Sequence, residues 1–265
     1  MTNEATIGKM RGMKLHGMVA AFENLITGQE HVCFGEAECR RELTADEMAA
    51  YLVDAEWDER YNRKLSSLIK KSRFRYQAGI ESLDFRAERN LDKNLVLRLS
   101  GCDWIRKKQN LIITGATGCG KSHIASVFGN QACRLGYRTL YFNCMKLFTR
   151  LKYAKAEGCY LKEMNLIQRQ DLLILDDFGI EVLDQFSRLA LLEMVEDRHG
   201  VKSTIITSQL PVKNWFDAIG DPTIADAICD RIVHNAVKIE LKGDSMRKLL
   251  SNNSIDSGGN LPPDV

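Results

Sequence analysis

The sequence has little net charge. It contains 37 Lys and Arg residues against 35 Asp and Glu residues, which leaves a formal charge of +2 over 265 residues. Total charge therefore gives no reason to expect binding to nucleic acid, and any such affinity depends on where the charges lie. A hydrophobic content of 45% at this length is sufficient for a globular protein of one or two domains with a sizeable core.

Long apolar runs and paired cysteines are also missing. No apolar stretch reaches the ~18 residues that a membrane-spanning helix needs, because charged or amide side chains interrupt every candidate. The eight cysteines include no CxxC pair, and the first residues lack the basic and apolar segments of a secretion signal. These absences predict a cytoplasmic protein with reduced cysteines and no membrane contact.

Basic residues are concentrated in one segment. Residues 36–59 contain nine acids and two arginines, whereas residues 60–75 contain seven basic residues and no acid. These seven are Arg60, Arg63, Lys64, Lys70, Lys71, Arg73 and Arg75. Such a run predicts largely sequence-independent contacts with the phosphates of duplex DNA. The alternative is a solvated helix face whose cations pair with the acids of residues 54–59.

The secondary-structure pattern changes near residue 100. Before it, apolar residues recur at spacings of three and four, which predicts a small all-helical domain over residues 1–100. After it, short β-branched runs alternate with helical stretches, which predicts an α/β domain with a parallel sheet over residues 101–250. The five expected strands are residues 110–114, 139–143, 171–176, 203–207 and 237–241. Residues 251–265 have too few apolar side chains to order, so we expect a flexible tail there.

A phosphate-binding loop is predicted at residues 115–122. The pattern G-x-x-x-x-G-K-[ST] lies between an apolar strand and a helix, and its backbone amides can converge on phosphate oxygens. The residues expected to surround ATP are Gly115, Ala116, Thr117, Gly118, Cys119, Gly120, Lys121, Ser122 and His123. Lys121 would contact the β and γ phosphates, and the Ser122 hydroxyl would bind Mg²⁺.

Two further strands are expected to bring polar groups to the same edge of the sheet. The segment DLLILDDF ends in Asp176 and Asp177, at the place where ligands bind in open α/β sheets. We predict that Asp176 holds Mg²⁺ and that Asp177 orients the water that attacks the γ-phosphate. The segment STIITSQLP ends in Ser208 and Gln209, of which we select Ser208 as the sensor of the γ-phosphate or the attacking water.

The motifs together resemble a known family. The loop GATGCGKS, the strand LLILDDFG, the stretch TSQLP and the segment CDRIVHNAVKIELKGDSMRK occur in this order, and KLHGMVAAFENL and LDFRAERNLDKN precede them. In these phrases the chain resembles, over nearly its whole length, the IstB family of ATP-dependent helpers of insertion-sequence transposition. The resemblance implies the AAA+ fold of the initiator clade, to which the helicase loader DnaC and the initiator DnaA are related.

The resemblance also implies roles for arginines and for partners. Arg231 looks like the arginine finger that reaches the γ-phosphate of a neighbouring subunit, with Arg198 as a rival, and Arg247 resembles the second sensor arginine. The family implies rings or spirals on duplex DNA, as pentamers or decamers, that present DNA to a cognate transposase. Residues 1–100 would then serve DNA binding and assembly. A DnaC-like loader of a replicative helicase is the alternative function.

One position departs from the wider AAA+ pattern. Asp177 stands where most of these ATPases carry Glu, and its carboxylate reaches one methylene less far. We therefore expect slow hydrolysis until DNA or a protein partner aligns the attacking water.

Overall fold

The computed structural model describes residues 2–27, 44–85, 89–243 and 246. The chain divides into two compact units, residues 1–67 and residues 68–265. Within the described ranges, no helix is both long and apolar enough to cross a lipid bilayer. The expected tail at residues 251–265 lies outside the described residues.

The first unit is helical. It contains α1 (Asn3–Gly12), α2 (His16–Thr27) and most of α3 (Ala45–Ser72), which continues beyond the unit's last residue. Helix α2 packs against α3 at Gly17, where a Cβ atom would lie only 2.3 Å from the Ala55 carbonyl oxygen. A larger residue at this position would therefore force the two helices apart.

A buried carboxylate stabilises the start of α2. Glu56 of α3, only 5% exposed, accepts hydrogen bonds from the backbone amides of Gly17 at 2.8 Å and Met18 at 3.2 Å. Arg60 donates to the other carboxylate oxygen at 2.6 Å. Burial alone would raise the pKa of Glu56, but the bonds from Arg60, Met18 and Gly17 outweigh it and lower this pKa below its ordinary 4.5.

The second unit contains a sheet with helices on both faces. Its strands are β1 (Asn110–Gly115), β2 (Thr139–Asn143), β3 (Leu172–Phe178), β4 (Ser203–Ser208) and β5 (Ala236–Leu241). Its helices are α4 (Lys93–Ser100), α5 (Asp103–Arg106), α6 (Lys121–Arg134), α7 (Cys144–Ala156), α8 (Tyr160–Gln168), α9 (Gln185–Arg198), α10 (Trp215–Ile219) and α11 (Pro222–Val233), with 3-10 turns at Ile80–Ser82 and Val212–Asn214.

The sheet is parallel throughout, in the order β2-β3-β4-β1-β5. The predicted α/β fold with a five-stranded parallel sheet is confirmed. Strand β3 lies between β2 and β4, and β4 separates it from the strand that precedes the phosphate loop. The carboxyl ends of β1, β3 and β4 therefore lie side by side at one edge.

Both faces of the sheet are buried. Leu111 and Ile113 of β1 belong to one hydrophobic cluster and Ile112 to another, because successive side chains of a strand point to opposite faces. Helices α4, α5 and α6 contribute to the first cluster, and helices α7 to α11 to the second. Burial on both faces explains why the strands are nearly continuous apolar runs.

The second unit begins earlier in the chain than the change in sequence pattern at residue 100. Ala78, Leu83 and Val96 are buried in the same cluster as the first strand of the sheet. The compact unit defined by contacts therefore includes residues 68–100. The assignment of residues 1–100 to DNA binding and assembly stays a prediction.

Candidate nucleotide site

The predicted phosphate loop has the backbone that close approach to an anion requires. Gly115, Gly118 and Gly120 have φ angles of 150°, 86° and 97°. A Cβ atom at Gly115 would lie 2.5 Å from the Leu241 carbonyl oxygen, so no larger residue fits there. Helix α6 begins at Lys121 and directs its free N-terminal amides toward the loop.

The lysine and serine of the loop line one cavity of about 540 Å³. The Lys121 ammonium donates to the carbonyl oxygens of Gly115 and Ala116, both at 2.8 Å, so its charge lies within the loop. The cavity wall consists of Arg75, Tyr76, Ser82, Asp84, Arg89, Thr117, Gly118, Gly120, Lys121, Ser122, His123, Asp177, Ile180, Gln209 and Met246. One cavity therefore contains three residues that were predicted from separate motif positions: Lys121, Ser122 and Asp177.

A β-bulge positions the two aspartates. Between the paired residues Leu175 and Phe178, Asp176 and Asp177 lie opposite the single β4 residue Thr207. Asp177 adopts the left-handed conformation with φ of 59°, and its N–H donates to the Thr207 hydroxyl at 3.0 Å. The bulge turns the Asp177 side chain toward the cavity and leaves Asp176 fully buried.

The two carboxylates have different partners. The hydroxyls of Tyr141 and Thr207 donate to Asp176, the latter at 2.5 Å. Burial and the Asp176 charge raise the pKa of Tyr141, so the phenol keeps its proton. Asn143, at the end of β2, donates to Asp177 Oδ2 at 3.0 Å. Asp176 is held by neutral donors on neighbouring strands, while Asp177 is one-fifth exposed at the cavity.

Arg75 lies in this site, which the sequence did not indicate. Its Nη1 is 3.5 Å from Asp176 Oδ2 and 3.4 Å from Asp177 Oδ2, and its guanidinium lies 5.6 Å from the centre of the Tyr76 ring. The sequence placed Arg75 with the DNA-binding run because it continues a series of cations. In the structure Arg75 also contacts the acidic pair at the nucleotide cavity, and its role in DNA binding stays a prediction.

Ser208 and Gln209, at the end of β4 and just beyond it, have different surroundings, and the choice of Ser208 as the sensor stays a prediction. The Ser208 hydroxyl is fully buried, donates to the Phe178 carbonyl at 2.7 Å and accepts from the Leu210 amide at 3.0 Å. Gln209 lines the cavity instead, and the Thr117 hydroxyl donates to its Oε1 at 2.7 Å. Ser208 therefore fixes the backbone, and Gln209 is the polar group that faces the phosphate loop.

One wall of the cavity joins His123, predicted with the phosphate loop, to side chains that were not predicted at this site. His123 contacts Tyr76 edge to face, with ring centres 5.8 Å apart, and lies 3.4 Å from the Ser82 hydroxyl. Burial, and then the charge of Arg89, lowers the pKa of His123 below its ordinary value. Arg89 is 4% exposed, and a Cβ atom at Gly120 would lie 2.9 Å from its Nη1. These side chains close the cavity on the side of α6.

Arg231 lies at the opposite edge of the sheet. Asn110, the first residue of β1, donates to the Arg231 carbonyl at 3.4 Å, and the six residues of β1 separate this edge from the phosphate loop. At ~3.3 Å per residue the two edges are roughly 16 Å apart, farther than an arginine side chain extends. The guanidinium donates to Glu196 at 3.0 Å and is 30% exposed, so it is available at the surface but not to its own loop.

Arg198 is a structural residue. It is 3% exposed and donates to the Thr204 hydroxyl and to the carbonyls of Ile167 and Gln170, each at 3.1 Å, and also to the Ser203 carbonyl. Burial lowers its pKa to about 10. A guanidinium engaged in this way cannot reach another subunit, so Arg198 is removed as a rival for the finger. Arg247 lies outside the described residues.

The remaining basic residues of the run lie on or just after α3. Arg60 pairs with Glu56, and Arg63 pairs with Glu59 at 2.9 Å. Within the described part of this basic run, the exposed cations without an ion pair are Lys64, Lys70, Lys71 and Arg73. Part of the run therefore matches the solvated-helix alternative, and its role in DNA binding stays a prediction.

Comparisons with known proteins agree with this geometry. The family model of IstB-like ATP binding proteins matches residues 8–254. The insertion sequence ATP-binding protein y4pL of Sinorhizobium fredii is 44% identical over 94% of this chain and 98% of its own length. The ATP-binding protein of insertion sequence IS1162 from Pseudomonas fluorescens is 37% identical over 80% of this chain and 88% of its own. The crystal structure of the DnaC helicase loader, 22% identical, superposes with a TM-score of 0.52 over 63% of this chain and 98% of that one.

The phosphate loop, the bulged acidic strand beside β4 and the strand order define a P-loop ATPase of the AAA+ class. The chain belongs to the family of IstB-like ATP-binding proteins. The predicted family is confirmed.

Proposed function

We propose that this protein is an ATP-dependent helper of insertion-sequence transposition, which assembles on duplex DNA, presents that DNA to its cognate transposase and hydrolyses ATP. Full-length relatives whose names place them in insertion sequences support the biological setting. The observation that carries the mechanism is the separation of catalytic groups between the two edges of the sheet. Each subunit has a phosphate loop and acidic pair, but its finger candidate Arg231 faces away from them.

The residues at the cavity suit ATP with Mg²⁺. Ser122 lines the cavity and offers a hydroxyl, and Asp176, a buried carboxylate next to Asp177 of the cavity wall, would supply a second oxygen ligand of the kind that Mg²⁺ prefers. The bound ion would neutralise charge on the β and γ phosphates. Lys121 would leave the carbonyls of Gly115 and Ala116 to contact the same phosphates, because a phosphate is a stronger partner than a neutral carbonyl.

Hydrolysis is proposed to need two subunits. Asp177 would accept a hydrogen bond from the attacking water, and Gln209 would contact the γ-phosphate or that water. Arg231 of one subunit would reach the γ-phosphate of the next, so ATP joins neighbours and turnover depends on assembly. The surface exposure of Arg231 and its distance from its own loop support this arrangement.

The test combines ATP turnover with particle size, in the presence and absence of long duplex DNA. The wild type should form large ATP-dependent particles whose hydrolysis is stimulated by DNA. Lys121→Ala should lose nucleotide binding, Asp177→Asn should assemble without hydrolysis, and Arg231→Ala should bind ATP without turnover. A protein that stays monomeric with ATP and DNA, or that acts only on a replicative helicase, would contradict the proposal and favour the loader function.

A further inference from the structure

A second cavity lies on the other side of the acidic pair. It has a volume of about 580 Å³ and is lined by Arg73, Arg75, Asn143, Lys146, Arg150 and Asp177, with the rings of Tyr141 and Phe142. Arg75 and Asp177 line both this cavity and the nucleotide cavity. The contact between these two side chains therefore forms part of the wall between the two spaces. We call the second space the basic cavity.

The basic cavity holds more positive than negative charge. Arg150 is balanced by Glu163 at 2.7 Å, and Arg75 by the two aspartates. Within the described ranges, Arg73 and Lys146 make no ion pair. Two uncompensated cations beside a hydrogen-bonding amide suit the singly charged oxygens of a phosphodiester.

The neighbouring surface indicates that the anion belongs to a polymer. Lys146, Arg150 and Tyr153 follow one another along α7 at spacings of four and three, so they lie on one face of that helix. Tyr153 is 68% exposed, and Lys, Arg and Tyr side chains are among those that hydrogen-bond to DNA backbone phosphates. A DNA backbone lying along this face would place one phosphate at the mouth of the basic cavity.

The same geometry restrains the catalytic aspartate. Arg75 Nη1 and Asn143 Nδ2 lie 3.4 and 3.0 Å from one oxygen of Asp177, Oδ2. An oxygen that already has two donors is a poor acceptor for a water molecule, and the guanidinium holds the carboxylate on the side of the basic cavity. Release of Asp177 Oδ2 from the guanidinium requires a new partner for Arg75.

We propose that a DNA backbone phosphate in the basic cavity competes for Arg75 and releases Asp177, so that DNA binding starts ATP hydrolysis. This inference rests on the proposed function and adds the residue through which DNA acts. Arg75 is then a positioning residue that works through Asp177. Its partner is the phosphate group common to all DNA sequences, in agreement with sequence-independent stimulation.

The experiment measures ATP hydrolysis by the full-length protein at saturating ATP over a range of duplex DNA concentrations. Arg75→Gln should raise the DNA-free rate toward the DNA-stimulated rate of the wild type, and the remaining stimulation should be close to one. Lys146→Glu should raise the DNA concentration for half-maximal stimulation roughly tenfold, the value of one charge-assisted hydrogen bond. The matched control Lys162→Glu replaces an exposed lysine of α8 that lies outside the cavity, and it should raise the DNA concentration for half-maximal stimulation much less.

The outcomes separate this inference from the proposed function. If DNA does not stimulate the wild type, the proposed function fails. If DNA stimulates the wild type but Arg75→Gln is slower without DNA, or keeps its full stimulation, only the role of Arg75 fails. Inorganic phosphate at the same phosphate concentration should not stimulate; equal stimulation would show that a free anion suffices and overturn the assignment to DNA. Where Arg75→Gln does not fold, Lys146→Glu still tests the proposal, because an unchanged DNA concentration for half-maximal stimulation would show that DNA does not act through the basic cavity and would overturn it.

Discussion

At the scale of single residues, the site depends on which way each polar side chain points at the end of its strand. Ser208 and Gln209 are adjacent, yet one is fully buried against the backbone and the other faces the phosphate loop. Ser208 is the last residue of β4 and its hydroxyl bonds to the backbone of Phe178 and Leu210, whereas Gln209 lies just beyond the strand and lines the cavity. Their roles can therefore be separated by substitution.

Gln209→Ala should lower DNA-stimulated ATP turnover at least about tenfold, because it removes the group proposed to contact the reacting phosphate or water. Its melting temperature should change little, since Gln209 is exposed. Ser208→Ala should instead lower the free energy of unfolding by about 1–2 kcal/mol, because the Phe178 carbonyl and the Leu210 amide lose their partner. Steady-state turnover and thermal melts check both; a Ser208→Ala protein that melts normally and cannot hydrolyse ATP would support Ser208 as the sensor.

Arg198 and Arg231 also differ in burial, so their substitutions should affect stability and turnover differently. Arg198→Ala should lower the free energy of unfolding by about 3 kcal/mol, because several buried carbonyls lose their hydrogen bonds. Arg231→Ala removes a partly exposed pair with Glu196 and should cost less than about 1 kcal/mol while abolishing turnover. Denaturant titration and ATPase assays on both variants decide this. Normal turnover in Arg231→Ala would rule out its role as a finger.

At the scale of elements, the first unit depends on the junction between α2 and α3. Glu56→Gln keeps the shape of the side chain but removes the charge that Arg60 and the first amides of α2 share. We expect the free energy of opening α2 to fall by about 2 kcal/mol at pH 7. Hydrogen exchange of the Gly17 and Met18 amides measures this directly. Glu59→Gln is the matched control, because Glu59 pairs with Arg63 at an exposed position and its loss should leave these amides protected.

The same junction gives a pH dependence. The pKa of Glu56 is lower in the folded protein than its ordinary 4.5, so its stabilising effect is complete above the unfolded value and is lost as the pH falls through the folded one. Protection of the α2 amides in the wild type should therefore weaken below about pH 4.5 and converge with that of Glu56→Gln. Parallel curves for the two proteins at all pH values would show that the charge of Glu56 has no part in the junction.

The sequence predicts the elements better than it predicts their contacts. Each strand is a local apolar run, and the phosphate loop is a local pattern whose glycines are needed for its own backbone angles, so both can be recognised without knowledge of the fold. The contact of Arg75 with Asp177 joins residues 102 positions apart and arises only when the chain after α3 reaches the sheet edge. Charge patterning alone could not separate Arg75 from Lys70 or Lys71.

The sequence likewise did not predict which charged side chains form ion pairs and which are buried. Arg198 and Arg231 both lie near the C-terminal ends of helices, next to acids, and only the packed structure shows that one is enclosed by carbonyl groups while the other reaches the surface. The basic run of α3 had two open interpretations, and its residues divide between them. Arg60 and Arg63 pair one helical turn away, whereas Lys64 has no ion pair within the described part of the chain.

At the scale of the whole molecule, the proposed shared active site would take its phosphate loop and acidic pair from one edge of the sheet and its arginine finger from the other. An Asp177→Asn subunit keeps its finger candidate, and an Arg231→Ala subunit keeps its phosphate loop and acidic pair. If the finger acts between subunits, a mixture of the two inactive variants contains interfaces in which every catalytic group is present. With random assembly of equal amounts, roughly one quarter of interfaces are complete in this sense.

The mixture should therefore recover roughly a quarter of wild-type turnover on DNA, if each interface works independently. Asp177→Asn mixed with Lys121→Ala is the matched control, because both substitutions damage the same edge of the sheet and no interface can combine an intact loop with an intact acidic pair. The two variants are mixed first, ATP and DNA are then added, and turnover is measured. Recovery in both mixtures would indicate contamination or subunit repair unrelated to Arg231, and recovery in neither would place Arg231 outside the shared site. Recovery only in the mixture of Asp177→Asn with Arg231→Ala would support a finger that acts between subunits. Arg231 and the phosphate loop are roughly 16 Å apart within one subunit, so they would then meet at the interface between two subunits.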